Sequence, residues 1–421
     1  MKALSILAIS FGLMVITINA SAQLSLDQCY RLATENYPLI KQRELILKSR
    51  DYNLQNATTG YLPTVSVNAQ QTYQSDVTGV PSVPGVEPLI PPVSKNQYKA
   101  YGDVMLPLYD GGVVHSQKQA IAANARVEEQ SLDVELYKLH ERVNQLYFGI
   151  LLLDGQLEQQ VLIREDLQNG LKLAEASIAN GTALKSSAEL LRAELLRNRQ
   201  VDIDLISMRT AYLEMLGLLI GQEIAPGALI KPSYLTPGDD VSRPEMQLYE
   251  YQRDMLDVEN KRLNTIITPR LSTFVQGGYG RPALNMLENN PDTYYIVGFR
   301  LNWNLTGFYN RRRDKELINV RRNGVNVQQE VFLFNIGYQG RQQKSEIDRF
   351  AQLSASDDEI IVLRVRIKET AYVQLENGVI DSREYLREVQ AENLARQSKV
   401  LHDIRMLSAQ YELQTTRGID H

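Results

Sequence analysis

The sequence predicts a mainly α-helical chain with a membrane β-barrel component, built as two repeats of a strand pair followed by long antiparallel coiled-coil helices. Three observations carry this reading. Proline is absent from Leu108 to Ala225 and again from Asp292 to His421; because an interior proline costs a helix about 3 kcal/mol, tracts of this length mark long helices. Segments alternating apolar and polar residues precede each tract. The pattern also recurs at one offset: Asn180-Gly181 and Asn377-Gly378 are 197 residues apart, and the same step maps Leu108 onto Leu305 and Gly221 onto Gly418, the mark of a tandem duplication.

Composition narrows the function. The 421 residues hold 45 Lys+Arg against 50 Asp+Glu, a net charge of -5, which argues against a protein that coats nucleic acid. One Cys excludes an internal disulfide, and four dispersed His (115, 140, 402 and 421) give no metal cluster. There is no G-x-S-x-G, H-E-x-x-H or phosphate-binding loop, so no enzymatic role and no cofactor are expected.

The N-terminus reads as a secretory signal. Lys2 precedes an apolar run from Leu4 to Ile18 and an A-x-A site at Ala20-Ser21-Ala22, predicting residues 1–22 as the signal peptide and 23–421 as the mature chain. Cys29 lies seven residues past the cut, where it would not serve as a lipoprotein anchor. No other apolar run reaches the roughly 18 residues of a membrane helix, so any membrane span must use strands.

Repeat one is placed at about 24–225 and repeat two at about 243–418. Ser25-Leu26-Asp27-Gln28 is a capping box, opening a helix to about Thr59 that bends at Pro38. A strand follows at 61–74, where Val65, Val67 and Ala69 alternate with Thr64, Ser66 and Asn68. Its partner, 97–109, places Tyr98, Ala100, Gly102, Val104, Leu106 and Leu108 on one face and Lys99, Tyr101, Asp103 and Met105 on the other. Between them a stretch with Pro at 81, 84, 88, 91 and 92 reads as an inserted loop. Repeat two gives strands at 270–279 and 294–305. Such strands suit a transmembrane barrel, with a soluble hairpin as the alternative.

A helix from Gly112 to Ala179 follows the second strand, with a heptad seam through Leu132, Leu136, Leu139, Val143, Leu146, Ile150, Leu153 and Leu157. After Gly181 a return helix carries Leu184, Ala188, Leu191 and Leu195 on one stripe. Repeat two turns at Gly378 and returns through Leu386 and Val389. Four strands cannot close a barrel, and lipid tolerates no open sheet edge. The chain must oligomerise, and polar strand faces favour the 12 strands of a trimer over the 8 of a dimer.

The sequence resembles the TolC-like outer-membrane efflux proteins over essentially the whole mature chain. The carriers are LSLDQCYRLATENYPLI, GYLPTVSVNAQ, MLPLYDGG, SRPEMQLYEYQRDMLDVE, NGTALKSSAELLRAE ending at LGLLIG, and ENGVIDSREYLREVQAEN. The resemblance implies a homotrimer with a 12-stranded barrel in the outer membrane and an α-helical tunnel extending across the periplasm. There it would dock with a periplasmic adaptor (membrane fusion protein) and an inner-membrane pump, with outer-membrane lipid as a further contact. It maps adaptor docking onto Asn180, Gly181, Thr182, Ala183 and Leu184 and onto Asn377, Gly378, Val379 and Ile380, where Asn-Gly could equally serve only the turn. It maps the tunnel constriction onto Glu384 and Arg387, the second reversing the family's acidic charge. An ion pair between those two at i, i+3 is the structural alternative. The run Arg311-Arg312-Arg313 with Lys315 and Arg321-Arg322 fits a barrel rim meeting lipid headgroups, or a solvated first helical turn. N-x-[ST] matches at Asn56, Asn180 and Asn304 read as chance.

The function expected is an outer-membrane exit duct of a tripartite efflux system. Its alternatives are a duct for type I protein secretion or metal export and, from another class, a structural periplasmic coiled-coil protein.

Overall fold

The computed structural model describes residues 23–79, 92–235, 238 and 240–418; the expected signal peptide and nearly all of the Pro-rich insertion lie outside these. Helix α1 (Leu26–Asn36) starts at the expected capping box: the Gln28 N–H donates to Ser25 Oγ at 3.3 Å and the Ser25 N–H to Gln28 Oε1 at 3.0 Å. A 3-10 turn at Pro38–Ile40 separates it from α2 (Lys41–Thr58), where proline bars the continuing helix. A second 3-10 turn, Thr59–Tyr61, ends at the proline before the sheet. The first strand therefore begins at Thr64, three residues later than the sequence alone placed it.

Strands β1 (Thr64–Tyr73), β2 (Asn96–Tyr109), β3 (Arg270–Arg281) and β4 (Asp292–Asn302) form one antiparallel sheet in the order β1-β2-β3-β4. The register aligns Val65, Val104, Val275 and Val297 in one row across all four strands, and Val67, Gly102, Gly277 and Tyr295 two residues along. Between these rows Ser66, Asp103, Gln276 and Ile296 point to the opposite face. One face is thus apolar and open, with Val67 at 85%, Tyr295 at 78% and Phe299 at 75% exposure. The ladder slips between Pro107 and Tyr109, where proline has no N–H to donate. Strand β4 stops at Asn302, before the expected Leu305, because Trp303 Nε1 donates to the Ile267 carbonyl (2.9 Å) and Asn304 Oδ1 accepts from the Thr306 N–H (3.1 Å).

The remaining helices are α3 (Val113–Tyr137), α4 (Leu139–Ala179), α5 (Lys185–Ile220), α6 (Pro244–Ile266), α7 (Gly307–Glu376) and α8 (Ser382–Arg417). The single helix expected from Gly112 to Ala179 is divided at Lys138, whose backbone stays right-handed at φ -62° and ψ -16°. Among the described residues no helix is long and apolar enough to cross a membrane. The chain groups into two compact units, each drawing on both repeats: one holds Leu39–Leu136 and Ser242–Asn335, with the sheet; the other holds the residues up to Pro38, Tyr137–Val241 and the chain from Ile336 on.

In the helical unit the heptad seam is buried at Leu139, Val143, Ile150 and Leu153, and its core joins Tyr147, Leu216 and Leu407 to Cys29 and Ala33 of α1. Burial pushes the Cys29 thiol up to about 12, so it stays a neutral packing group. The buried Tyr147 hydroxyl lies 2.9 Å from the Leu24 carbonyl and 2.6 Å from that of Ile230. Those two segments are themselves joined by Leu24 N–H to Ala228 O (2.9 Å) and Ile230 N–H to Leu24 O (3.1 Å). One tyrosine thereby pins the segment ahead of α1 to the linker after α5.

Helix α4 packs closely against both α5 and α8, and glycine permits the approach. A Cβ on Gly155 would lie 2.6 Å from Val400 Cγ1 of α8, and one on Gly170 would lie 2.7 Å from the Tyr385 ring. Helix α7 meets α8 near the hairpin end through Ala371 and Leu375 packed with Tyr385 and Val389 and, farther along, through polar side chains: Lys399 Nζ lies 2.9 Å from Asp358 of α7 and 3.3 Å from Asp403 of its own helix, and His402 Nδ1 lies 2.6 Å from the buried Asp357.

Gly155→Ala should destabilise the helical unit by about 1–2 kcal/mol, although alanine is the better helix former, because overpacking typically costs about 1–3 kcal/mol. A double-mutant cycle with Val400→Ala, read by denaturant unfolding, should return a coupling of at least about 1 kcal/mol. Simple additivity would show that the helices are free to move apart.

Candidate functional site at the hairpin ends

Both hairpin ends are built by the same backbone device. In the first, Asn180 caps α4, Gly181 turns left-handed at φ 72°, and two N–H groups close the end: Thr182 donates to the Ser177 carbonyl at 2.9 Å and Gly181 to that of Ile178 at 3.0 Å. In the second, Gly378 has φ 69°, and Val379 donates to the Gln374 carbonyl at 2.8 Å and Gly378 to that of Leu375 at 3.1 Å. Each is a Schellman motif, which satisfies two otherwise orphaned helix carbonyls. Only the glycines take positive φ; Asn180 sits at φ -84°, and Asn377 instead donates its side-chain Nδ2–H to the Val373 carbonyl at 2.8 Å. A Cβ on Gly181 or Gly378 would meet no atom within 4 Å, so the requirement for glycine there is conformational.

The two ends differ where the return helices begin. Asp381 caps α8, its Oδ1 accepting from the N–H groups of Arg383 and Glu384 at 2.9 Å each. Its counterpart 197 residues earlier, Leu184, makes no side-chain cap and is 75% exposed. Leu184 therefore stands outside the buried stripe of Ala188 and Leu191 to which its spacing assigns it. Thr182 Oγ1 donates back to the Ser177 carbonyl (3.0 Å), Ala183 is half-buried, and Val379 is exposed. Ile380 packs beside Ala371, Leu375, Tyr385 and Val389.

Glu384 and Arg387 both lie on the exposed face of α8, opposite the buried Tyr385, Leu386 and Val389. Arg387 pairs with its neighbour Glu388 at 3.0 Å, not with Glu384 at i, i+3. Glu388 also faces Arg364 of α7, 3.5 Å away.

Sequence reasoning missed the polar cluster behind this face. Lys368 Nζ of α7 lies 2.8 Å from Asp166 of α4 and 2.7 Å from Glu392 of α8, and Glu392 also accepts from Arg396 Nε at 2.7 Å. Burial works against both charges, pulling Lys368 down and pushing Glu392 up. The hydrogen bonds from Asp166 and Glu392 nevertheless hold Lys368 above its usual range, and those from Lys368 and Arg396 hold Glu392 below its own. The Glu392–Arg396 spacing was legible; the bond between residues 166 and 368, 202 positions apart, left no local signal.

The family model described as "Outer membrane efflux protein" matches residues 29–222, essentially the first repeat. No curated protein matches the sequence. Among solved structures, the chain resembles the outer-membrane channel OprN at 13% identity, covering 93% of this chain and 89% of that one with a TM-score of 0.64. The Campylobacter jejuni CmeC outer membrane channel matches at 14% identity, 93% and 85% coverage and a TM-score of 0.62. The open state of the Neisseria gonorrhoeae MtrE outer membrane channel matches at 13% identity, 93% and 88% coverage and a TM-score of 0.62. These likenesses show that the chain shares the fold of outer-membrane channels. The match over residues 29–222 and the shared fold agree with the resemblance to TolC-like outer-membrane efflux proteins.

Two outcomes follow for this end of the molecule. Gly378→Val should cost the hairpin end about 1–2 kcal/mol, since a β-branched residue resists left-handed φ, whereas Gly378→Asn should cost far less; local hydrogen exchange around residues 374–382 reads the difference, and equal protection in both variants would refute it. Glu392 contributes stability that is complete above its ordinary value of 4.5 and is lost as pH falls below it, while Lys368 contributes until pH rises past 10.5. This pair's contribution should therefore be constant between about pH 5 and 10, and Glu392→Gln should make the acid limb of the melting temperature shallower.

Proposed function

We propose that three copies of this chain close a 12-stranded barrel in the outer membrane and extend an α-helical tunnel into the periplasm, forming the exit duct of a tripartite efflux system. The observation that carries this reading is the sheet: one face mainly apolar, the other mainly polar, and the outer edges of β1 and β4 unpaired among the described residues. Aromatic residues lie near both ends of the strands, with Tyr73, Tyr98, Tyr279 and Tyr295 at one and Tyr61, Tyr109 and Trp303 at the other, all exposed, as the girdles of a membrane barrel require. In a soluble structural coiled-coil protein, an open apolar sheet face of this kind would be an aggregation hazard.

At the hairpin ends, Asn180 to Leu184 and Asn377 to Ile380 receive a periplasmic adaptor, which links the duct to an inner-membrane pump. Exposed Leu184 and Val379 supply apolar contact on a polar surface. Glu384 and Arg387 line the closed constriction, where three of each nearly cancel and leave weak ionic discrimination. Service to a protein-secretion or metal-export pump would use the same duct.

Membrane fractionation tests the assembly: an integral outer-membrane species with heat-modifiable trimeric mobility is expected, and a soluble periplasmic monomer would overturn it. Arg387→Asp lowers the net charge of the trimer by six, three cations lost and three anions gained. In planar-bilayer recordings that variant should become measurably more cation-selective, most clearly at low salt. Unchanged selectivity in an assembled variant would place Arg387 away from the pore.

A further inference from the structure

Six cations fall in the first sixteen residues of α7, and the structure divides them into two sets. Arg321 is paired with Glu259 of α6 at 2.9 Å, Arg322 with Asp257 of the same helix, and the half-buried Arg311 donates to Asn264 Oδ1 at 2.7 Å. These three fasten α7 to α6. The other three, Arg312, Arg313 and Lys315, are exposed, and among the described residues no carboxylate lies within ion-pairing distance of them. The one bond of this set is from Arg313 Nη2 to Asn310 Oδ1, at 3.1 Å.

These cations lie next to exposed apolar side chains. Trp303 is 54% exposed, Leu305 55%, Phe308 47% and Tyr309 76%, all between the end of β4 and the first turn of α7. Tyr309 shares a helix face with Arg312 and Arg313 at i+3 and i+4. At 1.5 Å per residue, Arg312 and Arg313 stand about 8 Å beyond the helix start at Gly307, a span close to the roughly 5–8 Å depth of a headgroup layer. An aromatic band followed at that distance by unpaired guanidinium groups matches an amphiphile that carries acyl chains below a phosphate. Free phosphate would leave the apolar side chains without a role. The opening of α3 has a weaker version of the arrangement: exposed Leu108 and Tyr109 precede His115 and Lys118.

We propose that Trp303, Leu305 and Tyr309 together with Arg312, Arg313 and Lys315 form a binding site for an anionic phospholipid, in the leaflet on the helical side of the barrel. The guanidinium groups take the phosphate and the aromatic rings lie along the upper acyl chains. The proposal rests on the membrane-barrel reading above.

The test is native mass spectrometry of the detergent-purified full chain, titrated in parallel with phosphatidylglycerol and phosphatidylcholine. The wild-type protein should retain phosphatidylglycerol at least tenfold better, and the preference should weaken with added salt. The triple variant Arg312→Gln, Arg313→Gln, Lys315→Gln should lose that preference while keeping its heat-modifiable oligomer mobility and its conductance. The charge-conserving Arg312→Lys, Arg313→Lys variant should retain most of it, which covers the case in which the triple variant does not assemble. A wild-type protein without headgroup preference overturns the proposal, as does an assembled triple variant that binds like wild type. Displacement of the lipid by millimolar inorganic phosphate would also overturn it, by showing a simple anion site. A wild-type chain that is soluble without detergent would overturn the barrel reading itself, an outcome distinct from loss of headgroup preference in an assembled barrel.

Discussion

A four-stranded sheet with an apolar outer face has two free edges, and in lipid each unpaired backbone group costs several kcal/mol. This constraint organises the rest of the proposed molecule. The strands alternate in direction along β1-β2-β3-β4, so the first and last run opposite ways, and β4 of one copy can pair with β1 of the next in the same antiparallel pattern. Closure therefore needs no new geometry, only more copies. Under the barrel reading the row of four valines sets which side would face lipid, because a one-residue slip at any strand would carry that strand's apolar set to the opposite face. The opposite face, with Ser66, Asp103 and Gln276 beside Ile296 in one row, would under the same reading line a water-filled interior.

The duplicated halves keep one backbone plan and differ in how their helices are held. Helix α4 carries Gly155 and Gly170, which bring it against α8 at distances that a Cβ would prevent. Their counterparts in α7, 197 residues on, are Gln352 and Ile367. Beyond the apolar cluster of Ala371, Leu375, Tyr385 and Val389, helix α7 meets α8 through Lys399 with Asp358 and His402 with Asp357. Close apolar packing is insensitive to pH and salt and resists sliding. A charged layer is neither, because buried ion pairs hold only while both partners stay ionised and correctly placed. The polar stretch of the α7–α8 contact is thus the part of that pair whose packing responds to its ionic surroundings.

Much of the fold was legible because its determinants are periodic or local. Proline-free tracts, heptads, alternating strands and the capping box at Ser25 each act over a few residues, and the structure places them within a few positions. Boundaries moved where a local bond redirected the chain, as when Trp303 and Asn304 ended β4 early. Less of the candidate site could be read. The glycine turns were visible because left-handed φ has a strong residue preference. The exposure of Leu184 was not visible, because heptad spacing does not reveal that the helix starts one residue later. Nor could spacing choose between Glu384 and Glu388 as the partner of Arg387, since both are within reach of a long side chain. The Lys368–Asp166 bond joins the two repeats, and nothing in a single sequence marks a pairing of that range.

The unequal starts of the two return helices bear on how the hairpin ends are used. Asp381 satisfies two backbone N–H groups at the first turn of α8, and a cap of this kind contributes about 1 kcal/mol. That anchors the turn carrying Glu384, whose N–H is one of the two. Leu184 forgoes an equal contribution and leaves an apolar side chain in water, so within the chain it is unfavourable twice over. Under the docking reading both losses are recovered, because a partner that covers Leu184 buries apolar surface and can offer acceptors to the uncapped N–H groups. The first hairpin end then gains order from its partner, while the second, already capped, keeps its shape without one.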